Sequence, residues 1–326
     1  DMTLLLTKIY DGGIPTGGGS DIGKGIAIDS VGNVYVIGID SVRGRPSSDI
    51  WIRKYDNDGK TVWTKNYLTE YDFAIDAFIY GEDIAIDNSD NVYVLGTRLV
   101  IGVGIDFWIK KYDTNGNEIW KRTYDDDDTT ENDAEFEGRG IAVDSNGNVY
   151  IVGLIRYYSG YPQNTDVCIV KYDKNGNFIW SQTYDGSGDE DLDGGEDIVV
   201  DSFGNIYVTG YEFVIGQGRN IWVGKYDTNG NKLWVKTYNG KDNADDQGRG
   251  IAVDSFGNVY VSGYYYDVKE SYNMWLSKYG TNGNILWTYK YSSPFDSHDK
   301  LREIAVDSFG AVYVVGYSDT FEESVN

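Results

Sequence analysis

A string of the form Ile-Ala-(Ile/Val)-Asp, then a turn, then Val-Tyr-Val or a close variant recurs six times along this chain. It starts at Ile26, Ile84, Ile141, Ile198, Ile251 and Ile304, and the fourth copy reads Ile-Val-Val-Asp. Successive starts lie 53 to 58 residues apart. A period of that size belongs to an array of one supersecondary unit, each copy burying a face that it cannot bury alone.

The copy at Ile141 shows the content of one unit. Ile141-Ala-Val-Asp144 is followed by the turn Asp144-Ser-Asn-Gly-Asn148 and by Val149-Tyr-Ile-Val152, which is rich in β-formers. After a longer loop come Val167–Tyr172, the turn Asp173-Lys-Asn-Gly-Asn177, and Phe178–Tyr184. These read as strands a, b, c and d, of about five residues each. The a–b turn recurs at Asp29, Asp144, Asp201 and Asp254; at Asp307 it ends in Ala311 instead of Asn, and at Asp87 its Gly is replaced by Asp90, which tolerates a left-handed backbone. The c–d turn recurs at Asp113, Asp173 and Asp227, and in altered form at Asp56 and Gly280. In both, Asp caps the turn and Gly supplies positive φ, so each unit is predicted to be one antiparallel meander. Strands c and d carry the tryptophans; Cys168 stands where the other c strands carry Trp and is therefore expected to be a packed core thiol.

Composition narrows the partners. Phosphate backbones require clustered Lys and Arg, and a net charge of −24 argues against them, so no nucleic acid is expected. No run of about 18 apolar residues is present, so no transmembrane helix is expected. The lone cysteine allows no disulfide framework within the chain. The first residue, Asp1, is read as a processed N-terminus.

The string Gly-Ile-Ala-Val-Asp-Ser-x-Gly-Asn-Val-Tyr-Val-x-Gly, with Lys-Tyr-Asp-x-Asn-Gly-Asn and Trp-x-x-x-Tyr after it, resembles the SBBP-type β-propeller repeat and, more distantly, the NHL repeat. The resemblance runs over essentially the whole chain. It implies an all-β β-propeller; the family name implies seven blades, whereas the six repeats of this chain predict six four-stranded antiparallel blades in one domain. It also implies a secreted or cell-surface bacterial or archaeal module with a binding or structural role.

Blades are expected at 26–67, 84–124, 141–184, 198–238, 251–291 and 304–326, the last joined by residues 4–10. Patterns a, b and d occur six times, but c only five. The N-terminal Leu4–Tyr10 is a d strand without its own blade, and Ile304–Val315 is a blade without its outer half. Joining the ends closes the ring and leaves one c position. The tail Tyr317–Asn326 fills it, or a neighbouring copy donates a strand by β-augmentation, or residues beyond Asn326 supply it.

In such a meander all short turns lie on one face and all long loops, b–c and d–a, on the other, where function is expected. Three features gather there. The acidic d–a loops, with Asp125, Asp126, Asp127, Asp128, Asp189, Glu190, Asp191 and Asp193, suit Ca²⁺, which takes 6–8 oxygens, or are solvated charge runs. The b–c loops offer Tyr157, Tyr158, Tyr161, Tyr264, Tyr265 and Tyr266 to a glycan or protein partner, or pack among themselves. The residue two before each strand-a Ile reads Lys24, Glu82, Arg139, Glu196, Arg249, Arg302, a ring of ion pairs at the channel mouth with Arg249 and Arg302 less compensated.

Nothing selects a catalytic set. His298 is the only histidine and is expected on a surface loop. The acidic loops hold many carboxylates, but none stands out as the pair a lyase or hydrolase would need. The expected function is a non-catalytic structural or adhesive surface module, with its own copies or a surface protein or glycan as partner. A carbohydrate-, protein- or Ca²⁺-binding propeller is the alternative, and an enzyme with an acidic site comes third.

Overall fold

The computed structural model describes residues 21–41, 48–67, 77–100, 104–124, 134–157, 164–186, 192–293 and 298–319. The expected strand at 4–10 and the tail after Asp319 lie outside them. Every regular element among the described residues is a β-strand. The first sheet holds β1 (Asp21–Ile28), β2 (Val34–Ser41), β3 (Ser48–Tyr55) and β4 (Thr61–Tyr67); the second holds β5 (Ala77–Ile86), β6 (Val92–Val100), β7 (Gly104–Tyr112) and β8 (Glu118–Tyr124). The third holds β9 (Ala134–Val143), β10 (Val149–Tyr157), β11 (Asn164–Tyr172) and β12 (Phe178–Tyr184). The fourth holds β13 (Gly194–Val200), β14 (Ile206–Val214), β15 (Gly218–Tyr226) and β16 (Lys232–Tyr238). The fifth holds β17 (Gln247–Val253), β18 (Val259–Asp267), β19 (Ser271–Tyr279) and β20 (Ile285–Tyr291). The last has only β21 (His298–Val306) and β22 (Val312–Asp319). Neighbours in each sheet follow chain order, as tight hairpins require. No helix among the described residues is long and apolar enough to cross a membrane.

The strands are longer than the predicted five residues. β9 begins at Ala134 and β17 at Gln247, because polar and Gly-rich stretches ahead of the apolar string pair through their backbones. Pattern recognition sees side chains, whereas the ladder is made by N–H and C=O groups. Five of the six a strands also carry a bulge that no periodicity announced, at Lys24, Glu82, Glu196, Arg249 and Arg302.

The a–b turn is held by its Asp. Asp144 accepts hydrogen bonds from the Asn146 and Asn148 amides, from Asn148 Nδ2 at 2.7 Å and from the Tyr150 hydroxyl at 3.0 Å. Asp90 adopts φ 60°, the left-handed value its place in the turn demands. The strand-c lysine joins the turn Asp: Lys54 reaches Asp29 at 3.6 Å, Lys111 reaches Asp87 at 3.3 Å and Lys278 reaches Asp254 at 3.5 Å. Each of these lysines also lies over the strand-b tyrosine ring, Tyr35, Tyr93 or Tyr260.

The chain divides into two compact units, Asp1–Ile141 and Ala142–Asn326. In the first, β1, β2 and β3 lie against β5 and enclose a core that includes Tyr35, Ile37, Ile50, Ile52, Ile84 and Trp108. In the second, β10 and β11 lie against β13, then β13, β14 and β15 against β17, then β17, β18 and β19 against β21. Its core centres on Trp222 and Trp275, both fully buried. Cys168 is buried, in line with a core thiol.

Candidate functional site

The residues expected at the channel mouth lie within the a strands, two before the apolar Ile, and Lys24, Glu82, Glu196, Arg249 and Arg302 are bulged residues. A bulge re-aims its side chain away from the strand's alternation. Within the first unit Lys24 pairs with Glu82 at 3.4 Å and Arg139 with Glu137 at 2.8 Å. Burial pushes the Glu82 carboxyl up, and the Lys24 and Arg139 charges pull it back. Within the second unit Arg249 pairs with Glu196 at 2.7 Å and donates to Gln247 Oε1 at 2.5 Å. Arg249 is thus compensated, contrary to its expected shortfall, because Glu196 of the preceding sheet stands beside it. Arg302 has no carboxylate partner among the described residues and lies over the Tyr317 ring at 5.5 Å.

A second set of carboxylates organises the long loops. Asp193, Asp246 and Asp299 each stand five residues before the strand-a Ile and are fully buried. Asp193 accepts from the amides of Gly186 at 2.6 Å and Phe213 at 2.7 Å. Asp246 accepts from Gly240 and, at 2.9 Å, from Tyr266; Asp299 accepts from Ser293 at 2.7 Å. Each therefore ties its d–a loop to the sheet, and in the first two cases to the end of strand b. Asp193, expected as a Ca²⁺ ligand or as part of a solvated charge run, accepts one backbone amide on each of its two oxygens. Asp125, Asp126, Asp127, Asp128, Asp189, Glu190 and Asp191 lie outside the described residues. Among those described, no cluster of three or more His, Cys, Asp or Glu could hold a metal.

The tyrosines also need correction. Tyr264, Tyr265 and Tyr266 belong to β18, not to a loop, because the β18–β19 ladder runs on to Asp267 and Ser271. Tyr264 and Tyr265 are buried and Tyr266 is half-buried. Tyr157 ends β10 and is half-buried; Tyr158 and Tyr161 lie outside the described residues. His298 opens β21 rather than sitting in a loop, and its ring meets Tyr272 edge-on at 5.4 Å.

Around Tyr264 and Arg249 the structure gathers Lys300, Tyr272 and Arg219, which the sequence reading did not single out. Lys300 of β21 places its ammonium 3.6 Å from the centre of the Tyr272 ring and 4.1 Å from that of Tyr264. Arg249 lies over Tyr264 at 5.7 Å, and Arg219 over Tyr211 at 4.7 Å. Tyr272 meets both Tyr264 and Tyr266 edge-on at 5.2 Å. Burial, with Arg249 and Arg302 close by, pushes the Lys300 ammonium down to about 8. The signal available in the sequence was a departure from the repeat: four residues before the strand-a Ile the other copies read Ile22, Tyr80, Glu137, Gly194 and Gln247, and only the last reads Lys.

The family model of a beta-propeller repeat, SBBP, matches at residues 12–38, 132–155, 186–211 and 236–264. No curated protein matches the chain. Among solved structures, a protein of unknown function from Dyadobacter fermentans is similar with a TM-score of 0.57 at 8% identity, over 91% of this chain and 96% of that one. A Trypanosoma rangeli sialidase in complex with the inhibitor DANA gives 0.52 at 11% identity, over 92% of this chain and 53% of its own. A Hadza microbial sialidase gives 0.51 at 8% identity, over 86% and 60%. At these identities the likeness is one of fold alone.

Proposed function

We propose, for a chain that carries the SBBP beta-propeller repeat, a non-catalytic structural or adhesive role at the cell exterior, in which the last blade is completed by the N-terminal strand of a second copy. In this reading the six repeats form six blades, and the exterior location follows from the resemblance. The observation that carries it is the state of the last sheet. Tyr313 of β22 is 59% exposed, whereas Tyr35, Tyr93, Tyr150, Tyr207 and Tyr260 at the same place in the other b strands are at most 2% exposed. Val314, Val315 and Tyr317 are exposed beside it.

The preceding sheet tells the same story. Elsewhere the c–d turn of the next sheet roofs the strand-d Trp: Trp63 Nε1 donates to Thr114 O at 3.2 Å and Trp234 Nε1 to Thr281 O at 3.1 Å. The strand-c lysines Lys54, Lys171 and Lys225 donate to the same turns. The fifth sheet has no such roof among the described residues, and Trp287 is exposed. A β-strand edge flanked by uncovered Tyr, Val and Trp is a template for strand addition. Covering it would contribute several kcal/mol at roughly 25 cal/mol per Å² of apolar surface. The segment Leu4–Tyr10 has the d pattern that this sheet lacks.

Light scattering on the purified chain tests the reading. Dimers or longer assemblies are expected, converted to monomer by deletion of residues 1–10 or by Val315→Asp. A chain that stays monomeric at high concentration with residues 1–10 intact would overturn self-association.

A further inference from the structure

We infer that the Lys300–Tyr272 cluster of the second unit is a binding site for an acidic saccharide, a polymer whose sugar rings carry carboxylates. The cluster draws Arg219 from β15, Arg249 from β17, Tyr264 and Tyr266 from β18, Tyr272 from β19, and His298, Lys300 and Arg302 from β21. Three consecutive sheets thus present cations to one another in a chain whose net charge is −24. Two carboxylates answer them: Glu196 pairs with Arg249, and Asp245 accepts the Arg219 backbone amide at 3.2 Å. Neither Lys300 nor Arg302 has a carboxylate partner among the described residues.

An ammonium held half-buried without a salt bridge is destabilising, and two tyrosine faces with the more distant Asp245 charge offset only part of that. Elsewhere the buried strand-c lysines have oxygen partners: Lys54, Lys111 and Lys278 each meet a turn Asp, and Lys171 and Lys225 donate to turn carbonyls. Lys300 departs from that rule at a position where the repeat supplies other residues. A charge retained in an unfavourable setting is explained by a ligand that completes it.

The ligand class follows from the chemistry. Cations spread over β15, β17 and β21 suit an anion that repeats along a chain rather than a single compact one. Half-buried Tyr266 and Tyr272, with exposed His298 at the edge of Tyr272, offer rings on which the apolar face of a sugar can stack. The acidic surface elsewhere repels densely charged polyphosphates and favours a polymer with one charge per ring. Completion of the β22 edge is not required for any of these contacts, so monomeric protein serves for the test.

Titration calorimetry with oligogalacturonate, against a neutral oligosaccharide of equal length and against sodium sulfate, decides the matter. Binding of the uronate alone is expected. Lys300→Met should weaken it at least about tenfold, and so should Tyr272→Ala. Affinity should fall as pH rises through about 8, where Lys300 loses its proton beside Arg249, Arg302, Arg219, Asp245, Tyr264 and Tyr272. Lys300→Met should also raise the melting temperature, since it removes an unpaired charge and keeps the apolar stem. A lower melting temperature with unchanged uronate affinity would make Lys300 structural and overturn the site. Equal binding of sulfate, or of the neutral oligosaccharide, would overturn the acidic-saccharide assignment, as would no binding of the uronate.

Discussion

At the residue scale, the turn aspartates carry more of the fold than their place in a short hairpin turn suggests. Asp144 gathers two amides, one carboxamide and the Tyr150 hydroxyl, and the last of these is buried. Hydrogen bonds to a charged acceptor contribute about 1.5–3 kcal/mol each when a buried partner would be stranded. Asp144→Ala should therefore destabilise by about 2–4 kcal/mol, read as a lower urea midpoint. Asp307→Ala removes the two amide bonds and the tyrosine bond, without a carboxamide because residue 311 is Ala, from the uncovered last sheet where Tyr313 is open to water, and should move the midpoint much less. Equal losses would mean that the turn acts locally and not through the tyrosine beneath it. These aspartates and their glycines were legible in the sequence, because turn chemistry is local. The second role of Asp90 was not: its carboxylate accepts from the Ser30 amide at 2.8 Å and the Ser30 hydroxyl at 2.7 Å, sixty residues away. Nothing in a linear string marks a residue that serves its own turn and a neighbouring sheet together. The loop-tying role of Asp193 was hidden for a related reason, since an acidic run looks the same whether its members face water or clamp a loop.

At the element scale, strands b and c fit because one is missing a side chain where the other has its largest. Gly38 pairs with Trp51, Gly96 with Trp108, Gly210 with Trp222 and Gly263 with Trp275. A Cβ on Gly96 would stand 2.3 Å from the Trp108 indole and 2.4 Å from the Tyr80 carbonyl. Neither an indole packed in the core nor a ladder carbonyl can yield, so Gly96→Ala should destabilise by at least about 1–3 kcal/mol, the usual range for overpacking. Denaturant titration checks it, and a substitution within about 0.5 kcal/mol of wild type would show that the sheet has slack. The four-stranded meander itself was readable from alternation and turns. The bulges in β1, β5, β13, β17 and β21 were not, because a bulge is an extra residue in the ladder and leaves no compositional trace. Yet the bulged positions could be found as a column of charged residues two before Ile, which is how Lys24, Glu82, Glu196, Arg249 and Arg302 came to be grouped.

At the scale of the whole molecule, two sets of carboxyl groups pull stability in opposite directions with pH. Burial would raise Asp29, Asp87 and Asp254, but their Asn, Tyr and amide donors outweigh it and hold them below the ordinary value; Asn117 and Asn231 do the same for Asp113 and Asp227. A depressed carboxyl stabilises the fold above its unfolded value, near 3.8, and that contribution is lost as pH falls through the folded value. Burial instead raises Asp166 and Asp246 to about 6 and Asp197 to about 7. Such groups favour the fold most below pH about 3.8, and their contribution drains away as pH rises toward 6 and 7. Self-repulsion in a chain of net charge −24 at pH 7 acts in the same sense. The urea midpoint should therefore be higher at pH 5 than at pH 7.5, and higher than at pH 3. Asp246→Asn keeps an acceptor toward the Gly240 and Tyr266 amides and removes the titration, so it should narrow the gap between pH 5 and pH 7.5. A midpoint that climbs steadily from pH 5 to pH 7.5 would mean that the buried aspartates are content as anions, and that the amides around them compensate their burial in full.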